Sequence, residues 1–298
     1  MKMVRFFLSL GFLSLIGVCY SQDYGFKVLA NKGSNEFRSG DVWQPIKTGA
    51  TLKVTDEVKL AENSYLGLVS STGKALEVKE PGTYLVSILM DRIKGTGPTV
   101  MQKYTDFILS SNAETKKNKL SATGAVHRDI ASSLQLVLPE NQNSAIFNNS
   151  AVISWEGTKV PGPYVLTLRN MFDDVLEQYE TPETSFKIDL SGSKFSKENA
   201  IIVQVNSKAD AKEVSKQHLI KKLSPTEHEN IKKSLDQIAN EVSEPTALNK
   251  LILAGFYEEN RLLIDAITAY EEAIKLAPDV PSYKEAFDEF LIRNNISR

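Results

Sequence analysis

The residues able to do chemistry are few in this chain, and their spacing does not gather them. Its three histidines are His127, His218 and His228, and no two stand at the separations that let imidazoles share a metal. Asp173 and Asp174 close the run Arg169-Asn170-Met171-Phe172-Asp173-Asp174, which reads as a hairpin turn. A calcium loop would need oxygen ligands at alternating positions and a glycine, and the run has neither. Asp56-Glu57 and Glu271-Glu272 are adjacent carboxylates. On a helix, neighbours point about 100° apart, so Glu271 and Glu272 read as a solvated face rather than an acid–base pair. No nucleophile elbow, phosphate loop, dinucleotide fingerprint or His-Glu-x-x-His occurs. The expectation is a protein that is not an enzyme, with no catalytic residue, cofactor or metal.

Composition narrows the alternatives. The chain has 298 residues, 42% hydrophobic and 24% charged, enough for two or three folded modules. A formal charge of −2 gives no basic footprint for nucleic acid. At the N-terminus, Lys2 and Arg5 precede an apolar run from Phe6 to Val18, and Ser21 supplies a small residue. Such a run spans roughly 20 Å as helix, short of a hydrocarbon core, so residues 1–21 read as a signal peptide. Cys19 is the only cysteine. It could carry a lipid, but Val18 before it is not small, so soluble export is the favoured reading. Removing the signal leaves a chain with no disulfide, thiol nucleophile or cysteine-rich zinc site. The expected location is a Gram-negative periplasm or outer-membrane face. No later run approaches 18 apolar residues, so no membrane span is expected after signal cleavage.

The elements that would position any site are β-rich over the first two-thirds. Val42, Leu52, Val54, Val58 and Leu60 alternate with polar residues, followed by Tyr65-Leu66-Gly67-Leu68-Val69. Leu76, Val78, Tyr84, Val86 and Ile88 continue the period of two, with glycine turns between runs. The order Gly40-Asp41, Trp43, Gly49, Leu52, Asp56, Ala61 to Leu68, Gly73, Leu76 resembles the FecR-type β domain of bacterial envelope proteins, placed here over 26–96. That resemblance implies an exported β module and, as an alternative function, a sensory or regulatory subunit. A sandwich-like or rolled sheet also allows a glycan- or peptidoglycan-binding module, with Trp43 and Tyr65 as stacking candidates.

Residues 97–132 read as a helix and mobile linker. Val100, Met101, Tyr104, Phe107 and Ile108 share a helical face, and a loop with Lys116, Lys117 and Lys119 is expected from Ala113. A second β module is expected over 133–207, from Leu134-Leu136-Leu138 through Trp155 and Tyr164 to Ile201–Val205. It is similar to the small immunoglobulin-like modules of bacterial surface proteins, with Trp155 inside.

From 222 to 298 the period becomes helical. Ser224-Pro225-Thr226-Glu227 is a capping box before Ile231, Leu235, Ile238 and Val242, a leading helix expected to end before Glu244-Pro245. Leu253, Ala254, Tyr257, Ala266, Tyr270, Ala273 and Pro278 then place small residues where two helices nearly touch and large ones beside them. Those seven positions resemble one tetratricopeptide repeat over 247–280, followed by a covering helix capped by Ser282 with Tyr283, Phe287, Phe290 and Leu291 on its apolar face. The resemblance implies an inner groove on the first helix, lined by Leu248, Leu251, Gly255, Glu258 and Glu259. The alternative is that these residues pack on the leading helix and the β body. The carboxylate-clamping lysines and asparagines of chaperone-binding repeats are absent. The reading with most support is a non-enzymatic envelope adaptor or scaffold holding an envelope or secretion-associated protein.

Overall fold

Alternation of buried and exposed side chains builds two β-sandwiches in succession. The computed structural model describes residues 24–93, 100–121, 134–157, 160–210 and 212–297. The expected signal peptide with Cys19, His127 and the end of the 97–132 linker lie outside them. The first sandwich contains β1 (Tyr24–Lys32), β2 (Glu36–Arg38), β3 (Trp43–Pro45), β4 (Thr51–Lys53), β5 (Glu57–Leu60), β6 (Tyr65–Ser70), β7 (Ala75–Val78) and β8 (Gly82–Leu85). They form two antiparallel sheets, in the orders β4-β1-β6-β7 and β3-β2-β5-β8. Phe26, Val28, Leu52, Leu66 and Leu68 from one sheet meet Val58 and Leu60 from the other in a shared core.

All six residues of β6 are buried. Leu66 and Leu68 face the sandwich core, while Tyr65 and Val69 belong to a second core formed with helices. A sheet covered on both faces accepts apolar residues at every position, which explains the unbroken Tyr-Leu-Gly-Leu-Val run. The period of two expected through Val86 and Ile88 stops at Leu85. Helix α1 (Val86–Asp91) begins there, burying Val86 and Leu89 and leaving Ile88 half exposed. A short apolar run fits both periods, and three-residue spacing won.

The second sandwich contains β9 (Gln135–Leu136), β10 (Ala145–Ile146), β11 (Ser150–Glu156), β12 (Tyr164–Arg169), β13 (Val175–Thr181), β14 (Ser185–Asp189), β15 (Ala200–Ser207) and β16 (His218–Lys222). A five-stranded sheet, β10-β16-β15-β12-β13, faces a three-stranded one, β14-β11-β9. Ile153 and Trp155 meet Leu166, Val203 and Val205 between them. Trp155 is inside, edge-on to Tyr164 with ring centres 5.4 Å apart.

The helices are α2 (Val100–Ser121), α3 (Pro225–Asp236), α4 (Ala247–Glu259), α5 (Leu263–Leu276) and α6 (Pro281–Arg293). The chain is thus β-rich over 24–222 and mainly helical beyond. Helix α2 continues to Ser121, past Ala113 where a loop was expected to begin. The capping box forms as read: Glu227 N donates to Ser224 Oγ and Ser224 N to Glu227 Oε2. Helix α3 nevertheless ends at Asp236, and Ile238 and Val242 are buried from turns. Helix α4 lies between α2, α5 and the first sandwich, and the largest apolar core gathers around it. Among the described residues, no helix is long and apolar enough to cross a membrane.

Candidate partner-binding cleft

Helix α5 is mostly apolar, and its polar residues Asp265, Thr268, Glu271 and Glu272 have a spacing of three and three or four that puts them on one face. That face meets the second sandwich. Asp265 accepts from Phe147 N (2.8 Å), Asn148 N (2.9 Å) and Asn148 Nδ2 (2.8 Å). Burial pushes the Asp265 carboxyl up to about 6, against the pull of those donors. One turn on, Thr268 Oγ1 accepts Val152 N at 3.0 Å, covering an otherwise open stretch of the β11 edge. Ser154 Oγ donates to Glu271 Oε2 at 2.8 Å. Glu272 meets Lys187 at 2.7 Å and Lys250 of α4 at 2.6 Å. Against the burial that would raise it, these two ammoniums hold Glu272 below the usual carboxylate range.

The first sandwich is held to the helices by a separate set. Glu77 of β7 accepts Leu248 N at 3.0 Å, and the hydroxyls of Tyr65 and Tyr283 meet at 2.6 Å. Ser282 Oγ accepts Asn31 N and donates to Asn31 O, both at 3.2 Å. Ser282 is therefore a tether to β1 and not the cap of α6, which starts with Val280 at the cap and Pro281 in the first turn.

Alongside Glu271 and Glu272, α5 and α6 and the outer face of the three-stranded sheet border a cleft of about 990 Å³. Val152, Ser154 and Lys187 form part of one wall, Ile274, Lys275 and Phe287 part of the other. Trp155 also lines it, and its buried Nε1 has no hydrogen-bond partner among the described residues. Apolar patches, hydroxyls and both signs of charge share the space, which suits recognition by shape and hydrogen bonds. Among the described residues, no group of three or more His, Cys, Asp or Glu is placed to hold a metal.

The inner groove expected on α4 is filled. Leu248, Leu251, Gly255 and Glu258 are buried and Glu259 is half-buried. A Cβ on Gly255 would stand 2.7 Å from Ile108 Cγ1, so α2 lies directly on that face. Glu259 pairs with Lys103 of α2 at 2.7 Å, and Glu258 pairs with Arg293 of α6. These residues are packing and ion-pair partners inside the fold, not a groove. The helix that covers them precedes them by about 150 residues in sequence, beyond the reach of periodicity. Gly255→Val is expected to cost about 1–3 kcal/mol through overpacking against Ile108, measured by urea unfolding. An unchanged midpoint would show that α2 does not press on α4.

The seven repeat positions lie where small and large residues were expected. Ala254, Ala266, Ala273 and Tyr270 are fully buried, Tyr257 nearly so, Leu253 half-buried, and Pro278 follows the end of α5. The remaining candidates do not converge. Tyr65 is buried against Tyr283, so it offers no stacking surface for a sugar; Trp43 is half-buried with Arg38 4.9 Å from its ring centre. His218 opens β16, half-buried, with burial lowering its pKa. His228 stacks on Phe147. Asp173 and Asp174 sit in the β12–β13 turn as read. The polar stripe of α5 escaped the sequence reading, although four polar residues on one face of a mostly apolar helix were its signal. No protein-family model and no curated protein sequence matches the chain.

Proposed function

We propose that this protein is a non-enzymatic, exported adaptor of a bacterial cell envelope that holds a protein partner in the cleft between its second sandwich and α5–α6. The observation that carries the proposal is the way α5 is bound. Asp265, Thr268, Glu271 and Glu272 join the helix to the sandwich, while the neighbouring cleft of about 990 Å³ stays open. A cleft between firmly joined elements is preorganised, so little ordering cost opposes a partner. Export is supported by the pattern of Lys2, Arg5, Phe6 to Val18 and Ser21, and the partner is expected to be an envelope or secretion-associated protein.

Cross-linked envelopes offer the test. Ser154→Arg places a long side chain in the cleft within reach of Glu271, so the fold should hold while the space closes. Proteins captured by the unmodified chain should be reduced at least about tenfold with this variant, a loss of about 1.4 kcal/mol in binding. Capture of the same proteins in equal amounts would sink the cleft reading.

A further inference from the structure

Among the described residues, strand β13 has a strand neighbour on one side only, β12, since it ends the order β10-β16-β15-β12-β13. Lys208 N donates to Pro163 O at 2.9 Å, which sets the alternation along β12. Val165 and Thr167 then turn their main-chain groups to β15, and Tyr164, Leu166 and Leu168 turn theirs to β13. Thr181, Tyr179 and Glu177 face these three across the ladder. The N–H and C=O groups of Gln178 and Glu180 therefore point outward, with no main-chain partner among the described residues. Outward-turned groups two residues apart on an extended chain match only another extended chain.

The side chains around this edge specify more. Residues 170–186 hold Asp173, Asp174, Glu177, Glu180 and Glu183 and no lysine or arginine. Arg169, Lys194 and Lys208 meet Asp173, Glu177 and Glu180 from neighbouring segments, which leaves an excess of negative charge. On the core side, Tyr179 and Phe186 stack at 4.5 Å between centres and close the rim between the two sheets, both half-buried. The turn before β13 presents Met171 and Phe172, 57% and 86% exposed, and β13 opens on Val175, 53% exposed. That turn is held in shape: Asn170 Oδ1 accepts both Phe172 N and Asp174 N at 2.9 Å.

We propose that the open edge of β13 takes up an extended segment of a partner protein as an added strand, with basic side chains on one face and apolar ones on the other. Basic residues would lie beside Gln178 and Glu180, and apolar ones would cover Tyr179, Phe186 and the Met171–Phe172 turn. A second copy of this chain is the wrong partner, because two such strands would bring their carboxylates together. The proposal rests on the adaptor reading for the partner being a protein; its main-chain groups lie on the β13 edge, which adjoins the cleft at Thr181, Glu183 and Phe186.

An alternating lysine–valine peptide of seven residues, the length of β13, is the probe. Amide hydrogen exchange on the whole protein should slow at Gln178 and Glu180 by at least about tenfold when it is added. An alternating glutamate–valine peptide should leave both unchanged. Gln178→Pro removes an outward N–H and no ladder bond, so it should abolish the effect while thermal unfolding stays the same. Glu180→Lys should weaken the lysine–valine peptide at least about fivefold, even if the proline variant misfolds. The proposal is overturned if the lysine–valine peptide protects neither amide, or if protection persists in both variants. It is equally overturned if protection without peptide grows with protein concentration, which would identify a second copy. These readouts need no envelope partner, so they stand or fall independently of the Ser154→Arg capture.

Discussion

Asp265→Ala is expected to loosen the second sandwich from the helices and to cost about 3–5 kcal/mol. The carboxylate accepts two main-chain N–H groups, from Phe147 and Asn148, and the Asn148 amide. Asp265 itself is 1% exposed, so water cannot readily replace it. Each buried donor left without an acceptor costs about 1–3 kcal/mol. Asn148 Nδ2 retains Tyr257 Oη at 3.0 Å, which limits the loss to the two main-chain groups and keeps the figure within that range. The two tryptophans separate the modules: Trp43 reports on the first sandwich and Trp155 on the second. In single-tryptophan backgrounds, the Trp155 transition should move to lower urea and the Trp43 transition should move less.

The same substitution carries a pH signature. The folded carboxyl is raised from 3.8 to about 6, so the folded state holds this proton where the unfolded state has released it. Its contribution is full below the unfolded value and is lost as pH rises through the folded one. The stability difference between the unmodified protein and Asp265→Ala should therefore be larger at about pH 4 than at about pH 7. A difference that grows toward neutral pH would contradict the assignment of burial as the dominant influence on this group.

Glu258→Ala is expected to be at least as damaging, again about 3–5 kcal/mol, and to act on the helical part. Glu258 receives Arg293 Nε at 2.6 Å, Arg293 Nη2 at 2.7 Å and Asn294 Nδ2 at 2.8 Å. The side chains of Glu258 and Arg293 are only 4% and 15% exposed. Removing one partner of a buried pair leaves an uncompensated charge, which is what makes the single substitution severe. The double replacement Glu258→Ala with Arg293→Met should cost less than the sum of the two singles, by about 1–3 kcal/mol. Additive effects in urea unfolding would show that the two side chains are not coupled.

The parts of the fold legible in sequence were those written in local period. Alternation found β11 and β15, where every second residue is buried, and the capping box found the start of α3. The spacing of Ala254, Ala266 and Tyr270 found the α4–α5 hairpin, because close helix approach demands small residues at fixed positions. Element ends were less legible. Val86 to Asp91 satisfies strand and helix periods alike, and Ile238 and Val242 keep a helical spacing although α3 has ended at Asp236.

The candidate site was mostly hidden, and α4 shows why. Leu248, Leu251 and Gly255 form a continuous small-and-apolar face whether it receives a partner or another part of the same chain. Ile108 and Tyr104 cover Gly255 from α2, and burial alone looks identical in the two cases. The cleft beside α5 draws one wall from β11 and β14 and the other from α5 and α6, two stretches without a common period.

By itself, then, the sequence determined most of the strands and helices though not all their ends, that two β modules precede a helical hairpin, and which small residues let α4 and α5 approach. Those properties follow from side-chain periodicity and size, which act over a few residues. Only the tertiary structure decided that α2 fills the face of α4, that Asp265 bonds to Phe147 and Asn148, and that the open space lies beside α5 instead. Each depends on contacts between residues far apart in the chain, where the outcome is set by which apolar faces bury each other and by which buried donors find acceptors.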